Sequence, residues 1–185
     1  MRKIIALCIV LCVLVGFVWP EDVPPTYGLS VGYKHILEPG LDGMQYSVGI
    51  LRAGMNGGVR LFFRTNTKTK TTKDALSYDE AVAEGYHYFE AKVNVTSLGG
   101  EYLYPVLRIR EKKALYAIAG FGVHWTDYVT RFSINGKSVW IEKESESGLN
   151  LTGGVLFMND RVNFSLQYDS KPSGIVASIG MNFDW

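Results

Sequence analysis

Cysteine is almost missing from this chain of 185 residues. The two present, Cys8 and Cys12, both fall in an apolar run near the start. The remainder therefore has no disulfide framework and no thiol chemistry. Leu7 and Leu11 stand where a lipoprotein signal needs small residues, which excludes lipidation at either cysteine. Long apolar runs are also lacking. After residue 25 nothing approaches the ~18 apolar residues of a membrane helix, so any passage through a membrane is made by strands. Neither sign of charge dominates: 19 Lys and Arg face 18 Asp and Glu, a net charge of +1. That balance excludes the basic face that nucleic acid needs. The three histidines, His35, His87 and His124, show no metal-ligand spacing and no cysteine partner, so no metal or other cofactor is expected.

What is present begins with an export pattern. Arg2 and Lys3 precede the apolar stretch Ile4 to Val18, and Pro20, Glu21, Asp22, Pro24 and Pro25 end it. This reads as a signal peptide over residues 1–20. No A-x-A site follows, so the cleavage bond stays open, and an uncleaved anchor is the alternative.

Period-two alternation then runs along nearly the whole chain. Ile175, Ala177, Ile179, Met181, Phe183 and Trp185 share one face, and Val176, Ser178, Gly180, Asn182 and Asp184 the other. The pattern predicts eight strands: 27–37, 44–53, 58–66, 88–109, 114–125, 148–158, 161–169 and 174–185. The fourth is long and is expected to bend at Gly99-Gly100. Connections alternate between short (54–57, 111–113, 159–160) and long (67–85, 126–147). In the first long one, Ser77-Tyr78-Asp79-Glu80 reads as a capping box and Gly85 as a helix stop. In the second, Asn135-Gly136 between apolar residues is a hairpin signal, so strands five and six should project as a ribbon. The simple hairpin register would set outward Phe121 against inward Asn150. A bulge between ribbon and barrel resolves that conflict.

The chain ends Ser178-Ile179-Gly180-Met181-Asn182-Phe183-Asp184-Trp185. Ser178, Gly180, Phe183 and Trp185 resemble, in order, the C-terminal assembly signal of bacterial outer-membrane barrels. Trp stands where that signal usually has Phe. Leu115 to Val123, aromatic and glycine-rich, and Leu149 to Asp169, two strands about an Asn-Asp turn, are similar to segments of the small OmpA/OmpX-like outer-membrane barrel superfamily. The resemblance implies an all-β, eight-stranded, antiparallel up-and-down transmembrane barrel over residues 27–185, behind a short periplasmic segment at 21–26. It implies an outer-membrane location, contact with membrane lipid and lipopolysaccharide, insertion by the barrel-assembly machinery, and a monomer. It implies no activity, because function belongs to sites and not to folds.

Three functions compete. A non-enzymatic surface barrel should hold its inward charges as pairs in the lumen, since an eight-stranded barrel has room for side chains only. Arg60, Arg64, Arg108, Arg110 and Arg161 are expected inward, opposed by Glu90, Glu101, Asp169 and Asp184. Its partner contacts should fall on the ribbon aromatics Tyr128, Phe132 and Trp140 with Ile141, where Arg131 can stack on Trp140. Lys68, Lys70 and Lys73 are available to lipopolysaccharide phosphates. A lipid-modifying enzyme would need a nucleophile, base and acid such as Ser133, His124 and Glu146, but no motif joins them. A soluble periplasmic lipocalin-like barrel would turn its apolar face inward around a ligand.

Overall fold

A computed structural model describes residues 25–37, 44–54, 56–66, 68–72, 76–110 and 113–184, with the side chains of Arg110 and Asp184 left out. The expected signal peptide and Trp185 lie outside the described residues. Eight strands close into one antiparallel barrel in chain order. They are β1 (Thr26–Ile36), β2 (Met44–Gly54), β3 (Gly57–Thr65), β4 (Tyr88–Arg110), β5 (Lys113–Ile134), β6 (Lys137–Met158), β7 (Val162–Ser170) and β8 (Ser173–Asp184), with one helix, α1 (Tyr78–Ala83), before β4. Closure comes from β1 pairing β8, with Val31 opposite Ile179. Within the closed wall each strand therefore has two neighbours, so its backbone groups are paired on both sides.

The faces follow the alternation. Val31, Val48, Phe121, Leu151, Leu166, Ile179 and Met181 are exposed on the outside, while Ser30, Lys34, Ser47, Arg64, Asn150 and Gln167 are buried inside. Apolar outside and polar inside is the arrangement of a barrel whose outer solvent is lipid. It is the inverse of the lipocalin-type reading. Gly180 shows how tight the wall is: a Cβ there would sit 2.2 Å from the Leu29 carbonyl oxygen.

Strand lengths divide the molecule. β1, β2, β3, β7 and β8 have 9–12 residues, whereas β4, β5 and β6 have 23, 22 and 22. β3 leaves β4 at the Thr65–Thr96 pair, and β7 leaves β6 at the Thr152–Asp169 pair. Above those points β4, β5 and β6 continue as a three-stranded ribbon. Tyr88 lies eight residues past Thr96, about 25 Å of strand. Asn135 and Gly136 close its tip with φ of 50° and 74°, the left-handed pair a tight hairpin requires.

Two sequence expectations need adjustment, and a third, the bulge, holds. β5 and β6 do not end at Trp125 and begin at Gly148; they continue to Ile134 and from Lys137, which forms the expected ribbon about Asn135-Gly136. The expected bulge lies between Tyr128 and Val129, and below it Phe121 pairs Leu151, leaving Asn150 inward. β4 shows no register shift at Gly99-Gly100. Its shifts fall between Tyr88 and Glu90, Pro105 and Leu107, and Arg108 and Arg110.

Candidate functional site: lumen network and external ribbon

The barrel interior is layered. At the end with the short turns, Leu51, Ala53, Leu103, Ala114, Tyr116, Ile118, Leu156 and Met158 form an apolar cluster. The Tyr116 hydroxyl donates to the Gly54 carbonyl 3.2 Å away. The middle is ionic. Arg60 Nε donates to Glu101 at 2.7 Å and its Nη1 to Ser165 at 2.9 Å. Arg64 Nη1 reaches both Asp169 oxygens at 2.8 and 2.7 Å, and its Nη2 donates to Gln167 at 2.8 Å and Glu101 at 3.2 Å. Gln167 Nε2 donates to Glu101 at 2.9 Å. Lys34 Nζ lies 2.9 Å from Asp169 and donates to the Pro172 carbonyl at 2.7 Å. The guanidinium of Arg64 stacks 3.8 Å above the Phe62 ring. Buried charges persist only where paired and hydrogen-bonded, and each of these is.

Of the nine charged residues expected in the lumen, the structure brings Arg60, Arg64, Glu101 and Asp169 together. Arg108 is exposed, because β4 has lost its β3 partner past Leu103. Arg161 is exposed in the β6–β7 turn, ahead of the first residue of β7. Glu90 stands on the outer face of the ribbon, 3.0 Å from Lys92 and 3.7 Å from Arg131. The side chains of Arg110 and Asp184 are outside the described residues. Sequence reasoning missed Lys34, Ser165 and Gln167. Lys34 was legible, since it follows Gly28, Ser30 and Gly32 on the polar face of β1.

On β8, Ser178 hydrogen-bonds Ser165, Gly180 is buried and Phe183 faces outward at 39% exposure. The conjectured catalytic trio does not assemble. His124 and Glu146 approach to 3.6 Å, but Ser133 lies nine residues further along the same strand as His124, about 30 Å away.

The ribbon corrects the surface expectation. Phe132 and Ile141 are not on display for contact; they are buried, with Ala81 of α1 seated on them and Tyr78, Tyr86, Ile134 and Val139 around the edge. The helix is held in place by its capping box: Ser77 Oγ accepts from the Glu80 backbone, and the Glu80 carboxylate accepts from Ser77 N at 2.8 Å. Tyr128 is half-buried against Ile36, Val93 and Val95, and its hydroxyl donates to Glu146 at 3.0 Å. Trp140 is half-buried on the opposite face, where Lys92 and not Arg131 supplies the cation, 5.2 Å from the ring. Arg131, directly opposite Trp140, turns to Ser138 at 2.7 and 3.1 Å.

Residues 68–72 lie over that same outer face. Thr69 exchanges two hydrogen bonds with the Asn94 side chain at 2.8 and 2.9 Å, and Thr72 N donates to the Trp140 carbonyl at 2.9 Å. Lys68 and Lys70 remain exposed. Between helix and ribbon an open-sided cleft of about 420 Å³ is lined by Tyr78, Tyr88, Tyr128, Lys143 and Glu144 among others.

No protein-family model matches the chain, and no curated protein does. Among solved structures, the attachment invasion locus protein Ail of Yersinia pestis superposes with a TM-score of 0.54 at 16% identity, covering 87% of this chain and 100% of Ail. The same protein in complex with the heparin analogue sucrose octasulfate gives 0.53 at 18% identity, with the same coverage. A major outer membrane protein from Thermus thermophilus is also similar, with a TM-score of 0.46 at 12% identity, covering 87% and 100%. The fold is that of a small bacterial outer-membrane β-barrel.

Proposed function

We propose that this outer-membrane-type barrel is a non-enzymatic surface protein whose lumen is closed to transport and whose three-stranded ribbon makes its contacts outside the cell. The observation that carries this reading is the strand-length asymmetry: β4, β5 and β6 are about twice as long as the other five. The lumen supports it as well. Residues of six strands (Lys34, Leu51, Arg60, Arg64, Glu101, Leu156 and Asp169) are packed into it with almost no exposure, as an eight-stranded interior allows.

Membrane lipid and lipopolysaccharide are the expected surroundings. The end motif Ser178, Gly180, Phe183 and Trp185 is the handle for the assembly machinery during insertion, and the barrel works as a monomer. For a ligand, a sulfated polysaccharide is the first probe to try. Ail is described bound to a heparin analogue, and here Lys68 and Lys70 stand exposed on the strap while Lys92 and Lys143 flank the cleft.

The test is surface trypsin on intact cells, combined with retention of the pure folded barrel on immobilised heparin. Cutting is expected at Lys68, Lys70 or Lys137 without loss of the heat-modifiable gel shift, because loop tips are the preferred nicking sites. Heparin retention should fall when Lys68 and Lys70 are both changed to Gln. Protection of all three lysines with cutting at Lys113 would reverse the topology. Stable porin-sized conductance from pure protein in planar bilayers would refute the closed lumen.

A further inference from the structure

On the reading of the ribbon as the contact element, we propose that the cleft between α1 and the ribbon binds phosphocholine, with its trimethylammonium group among Tyr78, Tyr88 and Tyr128 and its phosphate on Lys143. The cleft follows from three successive rungs on the inner face of the ribbon. Tyr128 pairs Val93, Thr130 pairs Ala91, and Phe132 pairs Tyr88. The middle rung carries the small side chains, so a hollow opens between the tyrosines, with about 13 Å from the first rung to the last. α1 covers Phe132 and Ile141 but leaves the Ala91 side open. The resulting volume of about 420 Å³ suits a small molecule.

Three rings reach the cleft from three elements: Tyr78 from α1, Tyr88 from β4 and Tyr128 from β5. Two of them are positioned in advance. Tyr78 packs edge-on to Phe132 with 5.7 Å between centroids, and the Tyr128 hydroxyl donates to Glu146 at 3.0 Å. Tyr88 is 65% exposed, so its ring has area to offer a ligand. Tyrosine faces attract cations. The Tyr78 face already draws one, since Lys143 Nζ lies 5.4 Å from its centroid. The charges then select among ligands. Glu144, directly opposite Tyr128, lines the cleft, and Glu146 stands at the Tyr128 hydroxyl. Both repel a polyanion and favour a cation. Lys92 is turned to the outer face, 3.0 Å from Glu90, whereas Lys143 sits exposed over the cleft on a flexible stem. A ligand cation that takes the Tyr78 face releases Lys143 to pair with an anion on the same molecule. A quaternary ammonium and a phosphate joined by two carbons match that set of groups. An uncharged sugar would use neither charge.

The test uses the full barrel in nanodiscs of phosphatidylglycerol, which carry no choline. Saturation-transfer NMR should place the N-methyl protons of phosphocholine against the protein. Phosphoethanolamine, which lacks the methyl groups, should bind about tenfold more weakly. Tyr88→Ala should raise the phosphocholine Kd about tenfold and Glu144→Gln about threefold; both positions are exposed, and the heat-modifiable gel shift checks that each variant folds. Lys143→Gln should weaken phosphocholine and leave choline unchanged. Two carriers identify the source of the group: phosphatidylcholine vesicles and a soluble protein conjugated with phosphocholine. Capture by the vesicles alone assigns the site to a membrane surface, and capture by the conjugate assigns it to a soluble carrier. Heparin retention through Lys68 and Lys70 should be unchanged in Tyr88→Ala, so the two readings fail separately. No binding of phosphocholine, equal binding of phosphoethanolamine, an unchanged Kd in Tyr88→Ala, or equal loss of choline and phosphocholine in Lys143→Gln overturns the proposal.

Discussion

One strand, β5, passes through two solvents and reverses its faces between them. Along its lower half Phe121 and Val123 point outward and His124 inward, so apolar is out and polar is in. Along its upper half Asp127 and Arg131 point outward while Tyr128 and Phe132 point inward, so polar is out and apolar is in. The side-chain parity never changes; only the chemistry assigned to each parity does. Below, the outer medium is lipid and the inner one a polar lumen. Above, both media are water, and the inner face is dry where Ile36 packs on Val93 and Val95 and where α1 covers Phe132 and Ile141. The same alternation thus means opposite things on the two sides of Trp125.

The comparison breaks most sharply at arginine. In the barrel, Arg64 is fully buried and shared among Asp169, Glu101 and Gln167. On the ribbon, Arg131 is partly exposed and bonded to Ser138. Arg64→Leu should destabilise by about 3–5 kcal/mol, because it strands buried carboxylates. Arg131→Leu should stay within about 0.5 kcal/mol. Denaturant unfolding of both variants, refolded in the same lipid, measures the difference. Equal losses would mean that the interior network contributes no more than a surface contact.

Phenylalanine sharpens the comparison at a smaller scale. Phe132 is 1% exposed beneath α1, whereas Phe121 is 56% exposed toward lipid. Phe132→Ala leaves a cavity that is worth about 3–5 kcal/mol of local stability. It should raise hydrogen exchange in α1 and over residues 130–141 while leaving the barrel amides protected. Phe121→Ala loses only the transfer contribution, about 1.5–3 kcal/mol, and should lower the global unfolding midpoint without touching α1. Coincident loss of protection in barrel and ribbon for both variants would show that they unfold as one unit.

The limits of the sequence can be read from the same residues. All eight strands, the helix cap at Ser77, the hairpin at Asn135-Gly136 and the bulge above Phe121 were legible, because each depends on local periodicity or turn chemistry. Arg108 and Arg161 were misplaced because parity says which face a residue takes but not where the wall ends. Lys34 was missed although its parity pointed inward, since charged residues at a strand end are usually solvated. Phe132 and Ile141 were read as displayed because nothing local announces that a helix fifty residues earlier in the chain returns to cover them. The apolar layer around Leu103, Tyr116 and Ile118 was invisible for a related reason: an interior assumed to be polar left no reason to look for one.

The smallest effect separates the regions by pH. Glu80 lies in the fully exposed capping box of α1. Its carboxylate accepts from the Ser77 backbone and then from the Ser77 hydroxyl, and these bonds hold its pKa below the ordinary glutamate value of 4.5. A carboxyl whose folded pKa is depressed binds fewer protons folded than unfolded in this range. Its contribution is therefore complete above 4.5 and is lost as pH falls through the lower folded value. Acidification across that window should loosen α1 and expose Phe132 while the barrel keeps its heat-modifiable form. Glu80→Gln should flatten the dependence, because the amide oxygen still accepts from Ser77 but does not titrate. The measurement is exchange at the α1 amides as a function of pH, corrected for intrinsic rates. The same acid response in the Gln variant would assign it to another group, and no response in the parent would mean that packing on Phe132 and Ile141 holds the helix without its cap.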